Sequence, residues 1–246
     1  FYNLRIDADL IIAADGKKST VKKILKTPLF QKHYKENALV INFTHTKNHN
    51  NCAWEFFYKN GPLAILPMQN IHKNYQSSLI WSDQPIFLNE LIKSKEEMIK
   101  KILNEKIGST IGSVKKILSK QVFPLSSHIN SRFYEKKVLY VGDAAHSVHP
   151  IAGQGWNLGL RDIKNLYYLC KDSKNLGLTI GINQFCIAYN EKCYYDSFRL
   201  YQVTDKLSGL FKQDNFVINI SRAIGFNIIQ RNKRLKKIIT NFAMGF

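Results

Sequence analysis

Val141–Asp162 reads VGDAAHSVHPIAGQGWNLGLRD and holds four glycines, one proline, two histidines and two aspartates within 22 residues. The residues before it, KKVLYV, end in a short apolar run that is typical of a buried strand. The residues after the loop follow a helical spacing, at Leu158, Asp162, Asn165, Leu166 and Leu169. The stretch therefore predicts a strand, a glycine-rich loop and the start of a helix. Such a loop exposes backbone N–H groups beside the positive end of a helix dipole, which favours a ligand with phosphate or other negative charge.

The composition indicates a globular protein. The chain has 246 residues, of which 45% are hydrophobic, enough for a core in one or two domains. Its net charge of +18 is open to two interpretations: a general bias toward Lys, Asn and Ile, or attraction to an anionic surface such as nucleic acid or a membrane. The bias is favoured because the basic residues are spread out and seldom alternate with aromatic ones. No nucleic-acid partner is therefore predicted.

The cysteines and histidines predict neither disulfides nor a metal site. The four cysteines contain no C-x-x-C pair, so a reducing, cytoplasmic compartment is expected. Zinc requires three or four converging ligands, and a glycine-rich loop does not supply the rigid face of a helical H-E-x-x-H site. The histidine groups considered and rejected as metal sites are the pair His146 and His149 and the group His45, His49 and Cys52.

The rest of the chain alternates between two kinds of pattern. Leu10 to Ala14 reads as a buried strand, and Ser19 is positioned to cap the short helix that follows. Asn37 to Ser82 is rich in β-forming residues with turn residues between them, which predicts an antiparallel sheet. Ser94 matches the start of a capping box for the next helix. Two further strands are predicted at residues 117–124 and 126–133, and helix is predicted after residue 184.

Three segments resemble the FAD-dependent aromatic hydroxylases, the class A flavoprotein monooxygenases, and match best the ubiquinone-biosynthesis branch of the UbiH and UbiF type. VLYVGDAAHSVHPIAGQGWNLGLRDIKNL (residues 138–166) is similar to the second flavin-binding motif of that family. DLIIAADGKKSTVK (residues 9–22) resembles its A-D-G-x-x-S-x-x-R motif, with Lys22 where Arg is usual. AWEFFYKNGPLAILPM (residues 53–68) is similar to a segment of the same branch. The resemblance extends over essentially the whole chain.

The resemblance implies an α/β fold: an incomplete FAD-binding Rossmann-like domain with an inserted antiparallel-sheet substrate domain and a helical C-terminus. Residues 1–30 and 126–180 would form the FAD-binding domain, residues 31–125 the substrate-binding sheet domain, and residues 181–246 the helical region. The family begins with a strand, a G-x-G-x-x-G turn and a helix that hold the FAD pyrophosphate. No G-x-G-x-x-G occurs in these 246 residues. That part is therefore expected to be missing from this chain, which alone would then be inactive.

The resemblance also implies which residues bind the cofactor. The Asp143 carboxylate would accept a hydrogen bond from a ribityl hydroxyl of FAD, with a helix N-cap as the alternative. The N–H groups of Gly155 to Asn157 would face the flavin, and for Asn157 a simple helix-capping role is equally open. The full set of predicted cofactor-binding residues is Asp15, Gly16, Gly142, Asp143, Pro150, Gly153, Gln154, Gly155, Trp156 and Asn157.

The implied activity is the hydroxylation of a polyprenylated phenol ring in ubiquinone biosynthesis. FAD, NAD(P)H as electron donor and O₂ would act through a flavin C4a-hydroperoxide. The sequence identifies no catalytic side chain; His149 and Pro150 are predicted only to line the flavin. Trp54, Phe56 and Pro67 are predicted to line the substrate pocket, with ordinary core packing as the alternative for the aromatic pair. Two other functions stay open: hydroxylation of a small soluble aromatic, and a basic membrane- or nucleic-acid-binding remnant of the fold without activity.

The C-terminal residues 221–246 form a basic and apolar segment without any acidic residue. Basic side chains alternate there with isoleucine and leucine, a pattern that predicts peripheral attachment to the inner face of a membrane, with an ordinary surface helix as the alternative. The expected partners are accordingly the polyprenyl phenol, O₂, such a membrane surface and other proteins of ubiquinone biosynthesis. The basic residues are Arg222, Arg231, Lys233, Arg234, Lys236 and Lys237.

Overall fold

The computed structural model describes residues 5–71, 74–212, 224–225 and 227–244. In chain order its strands are β1 (Ile11–Ala13), β2 (Leu29–His45), β3 (Trp54–Tyr58), β4 (Gly61–Ile71), β5 (Asn74–Asp83), β6 (Val114–Asn130), β7 (Tyr134–Glu135), β8 (Val138–Tyr140) and β9 (His146–Ser147). Its helices are α1 (Thr20–Ile24), α2 (Pro85–Lys93), α3 (Glu96–Ile111), α4 (Gly155–Asn175), α5 (Asn183–Lys212) and α6 (Lys233–Met244). Two short 3-10 turns lie at Gly142–Ala144 and Ile151–Gly153.

The described residues group into two compact units. The first unit holds the residues up to Lys32, Ser126–Leu207 and the described residues from 224 onward. The second unit holds His33–Leu125 and residues 208–212. The predicted α/β class with an antiparallel sheet is confirmed by these elements.

A small mixed sheet forms the centre of the first unit. Its strand order is β1-β8-β7, in which β1 pairs with β8 in parallel and β7 pairs with β8 antiparallel. The apolar run predicted to be a buried strand is β8, and all three of its residues are buried. Helix α5 is tied to this strand because the Tyr189 hydroxyl donates to the Tyr140 carbonyl at 2.9 Å. Burial raises the pKa of Tyr189, so the phenol stays protonated as this bond requires.

The second unit is built on the predicted antiparallel sheet, with strand order β3-β4-β5-β2-β6. The register of β2 on β5 runs from Asn37 opposite Asp83 to His45 opposite Tyr75. Helices α2 and α3 pack their apolar sides against this sheet. The core they share contains Leu39, Ile41, Phe43, Leu63, Ile65, Leu79 and Trp81 from the strands, and Leu88, Leu91, Ile99, Leu103, Ile107 and Ile111 from the helices.

Three local predictions were wrong. The strand predicted to be buried at Leu10 to Ala14 is β1, in which Ile11 and Ile12 are each 51% exposed and only Ala13 is buried. The two strands predicted at residues 117–124 and 126–133 are one strand, β6, which continues through Pro124. The predicted capping box does not form, because the Ser94 hydroxyl donates to the Glu90 carbonyl at 3.0 Å and so ends α2. Helix α3 instead begins at Glu96 after Lys95, without a side-chain cap. The short helix after Ser19 is confirmed, and the Ser19 hydroxyl accepts from the Lys22 N–H at 3.0 Å.

Candidate cofactor-binding site

The strand–loop–helix stretch places Asp143 on a short turn at the end of β8. Gly142 begins this turn with φ +60°, a conformation that favours glycine. Asp143 follows it with an exposed side chain. The turn is capped by the backbone of Val141, so the alternative role of Asp143 as an N-cap is wrong. The exposed carboxylate is free to accept hydrogen bonds from a ligand at the carboxyl end of the strand.

A buried carboxylate joins this turn to helix α4. The Gly142 N–H donates to Asp162 Oδ2 at 2.9 Å, and His146 Nε2–H donates to the same oxygen at 2.7 Å. The His146 and Asp162 side chains are only 1% and 2% exposed, so neither group can exchange its partner for water. His146 thus packs and bonds within the loop, as its place in the motif predicts, whereas the sequence predicted only a helical position for Asp162. Asp162 fixes the start of the helix against the turn that carries Asp143.

The first turn of α4 presents backbone donors to open space. Gly153 has φ +60°, and a β-carbon built on Gly153 or Gly155 would meet no atom within 4 Å. The first N–H groups of a helix have no acceptor inside it, and no acidic residue occupies the first turn of this one. Trp156 is 77% exposed beside them. Gly153 and the first turn of α4, together called the cradle, thus offer N–H donors, the positive end of a helix dipole and the flat aromatic surface of Trp156.

Helix α4 begins one turn earlier than a cap at Asn157 would require. Its first residue is Gly155 and its N-cap is Gln154, so the alternative interpretation of Asn157 as the helix cap is wrong. The half-buried Asn157 lies within the first turn, where its amide donates to Gln154 Oε1 at 3.4 Å.

Asp15 and Gly16 follow β1 in the same unit. Asp15 Oδ2 accepts hydrogen bonds from the backbone N–H groups of Thr20, at 2.7 Å, and Val21, at 3.2 Å. The hydrogen bond from Ser19 together with these two N–H groups lowers the pKa of the Asp15 carboxyl. Gly16 has φ +80° and lets the chain turn into α1. This arrangement accounts for Asp15 as a helix-stabilising group, and its contact with a cofactor stays a prediction.

His149 and Pro150 lie between the turn and the cradle. The His149 ring is buried, and its Nδ1 accepts from the Ile151 N–H at 3.2 Å. Pro150, with φ −66°, starts the 3-10 turn that leads to Gly153. These contacts give both residues a role in shaping the loop, and a place beside the flavin stays a prediction.

The predicted substrate residues lie in the second unit. Trp54 and Phe56 are half-buried on β3 and pack against its core, whereas Phe57 points to the other face and is 41% exposed. Pro67 is half-buried on β4, opposite Ser77. Their use in a pocket stays a prediction.

The two buried histidines of the second unit make hydrogen bonds within the protein. His45 bonds the Lys47 carbonyl through Nδ1 at 2.9 Å and the Ser77 hydroxyl through Nε2 at 3.0 Å. His49 Nδ1 accepts from the Asn51 N–H at 3.1 Å. Within the described part of the chain, no group of three or more His, Cys, Asp or Glu side chains is placed to hold a metal ion.

Residues 3–170 match the family of FAD binding domains. The chain belongs to this family. It is 30% identical over 98% of its length to ubiquinone hydroxylase UbiL of Rhodospirillum rubrum, and 26% identical over 98% of its length to 3-demethoxyubiquinol 3-hydroxylase of Escherichia coli. It covers 55% and 60% of these two relatives, so it spans little more than half the length of each.

Solved structures show the same fold. The chain aligns over 83% of its length with PqsL of Pseudomonas aeruginosa in complex with 2-aminobenzoylacetate, covering 56% of that chain at 18% identity and a TM-score of 0.68. It aligns over 96% of its length with OxyS anhydrotetracycline hydroxylase of Streptomyces rimosus, covering 46% of that chain at 18% identity and a TM-score of 0.65. The recognition of FAD-dependent hydroxylases from the sequence is confirmed by these likenesses together.

The residues of the first unit suit the flavin and ribityl end of FAD. An exposed carboxylate at Asp143 offers an acceptor for hydroxyl groups, and the free N–H groups at the start of α4 offer donors for a carbonyl edge. The space beside Gly153 and Gly155 lets a planar ring approach the backbone. This donor and acceptor set matches that end of the cofactor, which agrees with the family of the chain.

Proposed function

We propose that these residues are part of a FAD-dependent monooxygenase that hydroxylates a polyprenylated phenol in ubiquinone biosynthesis, with NAD(P)H and O₂ as cosubstrates. The observation that carries the proposal is the similarity over 98% of the chain to a ubiquinone hydroxylase. The geometry of the first unit supports it, because Asp143 offers an exposed acceptor and the start of α4 offers N–H donors, a set that suits a flavin. Bound FAD supplies the oxidation chemistry, taking electrons from NAD(P)H and delivering them to O₂.

The residues of this chain bind and orient the cofactor. The Asp143 carboxylate would accept from a ribityl hydroxyl, and the N–H groups of Gly155, Trp156 and Asn157 would donate to the carbonyl edge of the ring. The positive end of the α4 dipole favours negative charge there, which would stabilise the reduced form of a bound flavin. Gly153, Gln154 and the rings of His149 and Pro150 shape the loop around it.

The second unit is assigned the substrate. Trp54, Phe56 and Pro67 present apolar, half-buried surface that suits a hydrophobic phenol. Its role is to hold the ring in one orientation and to exclude water during the reaction. A small soluble aromatic is the alternative substrate, because the same surface accommodates an unprenylated ring.

Product analysis tests the proposed reaction. The test protein is an extended chain, defined as these 246 residues preceded by a strand–turn–helix segment with G-x-G-x-x-G. We expect it to purify with FAD and to hydroxylate a prenylated phenol in vesicles while consuming NADH or NADPH in step with product. Hydroxylation of only the unprenylated phenol would favour the soluble-substrate alternative. A protein that binds FAD but oxidises NAD(P)H without any hydroxylated product would contradict the proposal.

We further propose that helix α6 attaches the enzyme to an anionic membrane. Lys233, Lys236 and Lys237 are exposed on this helix, as are Ile238 at 64% and Ile239 at 43%. A helix with a basic side and an apolar side lies in the membrane interface, with the lysines on the anionic headgroups. No described helix is long and apolar enough to cross a bilayer. Arg222, which the sequence analysis included in this surface, lies outside the described residues.

Charge removal on α6 tests the attachment. Replacing Lys233, Lys236 and Lys237 together by Gln is expected to weaken binding to phosphatidylglycerol-containing vesicles by about 100-fold, at about 1 kcal/mol per charge. Vesicle sedimentation measures the change. The matched control replaces three exposed lysines of the second unit by Gln, namely Lys93, Lys101 and Lys115.

The control separates specific from general attraction. Equal weakening by both sets of substitutions would mean that the net charge of +18, and not α6, attracts the membrane. The same titration against double-stranded DNA tests the nucleic-acid alternative, for which we expect no binding that depends on α6.

A further inference from the structure

Lys22 is a buried cation beneath the turn that carries Asp143. It lies on α1 with 6% of its surface exposed. Its Nζ lies 2.9 Å from His128 Nε2 and donates to the Ala144 carbonyl at 3.4 Å. Among the described carboxylates none forms an ion pair with it. Burying an ammonium whose hydrogen-bond partners are all neutral lowers the free energy of unfolding. The presence of one at this position therefore points to a function for its charge.

His128 passes the hydrogen bond on to the turn. Its ring is 3% exposed and also bonds the backbone of Asp143. Burial and the charge of Lys22 lower the pKa of His128 to about 3, so the imidazole is neutral. A neutral ring that accepts from Lys22 at Nε2 carries its proton on the other nitrogen, which therefore donates to the Asp143 carbonyl. Lys22 therefore donates to His128, and His128 donates to the Asp143 carbonyl, which accepts.

A third buried side chain completes the support. The Asn130 amide donates to the Ala144 carbonyl at 3.1 Å, and the Asn130 backbone N–H donates to the Ala145 carbonyl at 2.9 Å. The backbone carbonyls of Asp143, Ala144 and Ala145 thus all accept hydrogen bonds from buried residues, while the Asp143 side chain is exposed. The buried network holds the backbone from which Asp143 reaches the cofactor.

We propose that Lys22 is a positioning residue for the cofactor: it holds the Asp143 turn through His128 and places a positive charge beneath an anionic ligand. The proposal rests on the cofactor site described above and adds to it a residue at which this chain departs from the resembled motif. Lys22 and the Arg that is usual at this position of the resembled motif carry the same positive charge. The proposed charge effect therefore holds for either residue. The titratable groups facing Lys22 and its partner ring are Asp15, Lys17, His128, Asp143 and His146.

The first test is FAD affinity in the extended chain, measured by fluorescence quenching in the absence of substrate. Lys22→Met is expected to weaken binding about tenfold or more, the effect of losing one hydrogen bond to a charged group. Asp143→Ala is the positive control. Lys23→Met is the matched control, because Lys23 is the exposed neighbour on the same helix. Unchanged affinity of Lys22→Met would overturn the proposal.

The second test separates a charge effect from a structural one. Burial lowers the pKa of Lys22 below its ordinary value of 10.5, so raising the pH removes the charge before most exposed lysines lose theirs. We expect FAD affinity of the unsubstituted protein to fall over that range, and affinity of Lys22→Arg to fall less because the guanidinium stays charged. Titration of the ligand and of the other lysines is common to both proteins and cancels in the comparison.

Parallel pH profiles of the unsubstituted protein and Lys22→Arg would overturn the proposal and leave Lys22 a packing residue. If Lys22→Met does not fold, the Lys22→Arg profile decides alone. FAD affinity is measured without the phenol, so this result is independent of whether the proposed hydroxylation is found.

Discussion

Replacing Asp162 by Ala is expected to destabilise the first unit by about 3–5 kcal/mol, because two N–H donors lose their acceptor at about 1–3 kcal/mol each. The substitution leaves the buried His146 Nε2–H and the partly buried Gly142 N–H without an acceptor. It also detaches the start of α4 from the turn that carries Asp143. We therefore expect FAD affinity to fall together with stability.

Thermal unfolding of the extended chain measures this effect. For a protein of this size about 1 kcal/mol lowers the midpoint by roughly 2–4 °C, so we expect a decrease of about 6–20 °C. Asp172→Ala is the matched control, because Asp172 lies exposed on the same helix. A midpoint for Asp162→Ala within 1–2 °C of the control, about 0.5 kcal/mol, would show that the buried contact contributes little.

Replacing His128 by Gln is expected to reduce the loss of stability in acid by about 3 kcal/mol between pH 7 and pH 4. The pKa of His128 is about 3 in the folded protein, below its ordinary value of 6.5, because of burial and the charge of Lys22. Between these two values the unfolded chain binds a proton that the folded chain does not. Stability contributed by the neutral ring is therefore present above pH 6.5 and is lost as the pH falls toward 3. Glutamine does not titrate, and its amide oxygen can still accept from Lys22.

Urea unfolding at pH 7, 5.5 and 4 gives the measurement, with the two proteins compared at each pH. His33→Gln is the matched control, because His33 is exposed and the chemical change is the same. Carboxylates that titrate in this range are common to all three proteins. A His128→Gln protein with the same acid sensitivity as the unsubstituted one would contradict the buried, neutral state of the ring.

The sequence predicted much of the local structure of the candidate site. A short apolar run followed by glycine predicted β8 and the turn that ends it, and the helical spacing after Gly155 predicted α4. These features depend on interactions between residues close in the chain, such as the φ that glycine allows and the side on which apolar residues fall. The motif also predicted the family, through residues whose types and spacing are set by contact with a flavin.

The sequence prediction of local structure failed at Ser94 because a neighbouring helix competed for its hydroxyl. Ser94 stands where a capping residue for α3 is expected, yet its hydroxyl donates to the Glu90 carbonyl in the last turn of α2. Helix α2 ends at Lys93, one residue before Ser94. The strand β6 continues past Pro124, where the sequence favoured a break. Propensity gives the average preference of a residue, and the contacts made in the fold override it.

Short-range sequence patterns were sufficient to predict β8, the glycine turn after it, the start of α4 and the exposed position of Asp143, because each depends on a few adjacent residues. The buried residues that support this turn come from distant parts of the chain and meet only in the folded protein. Lys22 and His128 are 106 positions apart, and no spacing rule brings them to 2.9 Å. His146 and Asp162 are separated by the whole glycine loop, whose path decides whether they meet. The partner of a buried polar side chain is chosen by close packing, since every group removed from water must find one among the residues that the fold brings near.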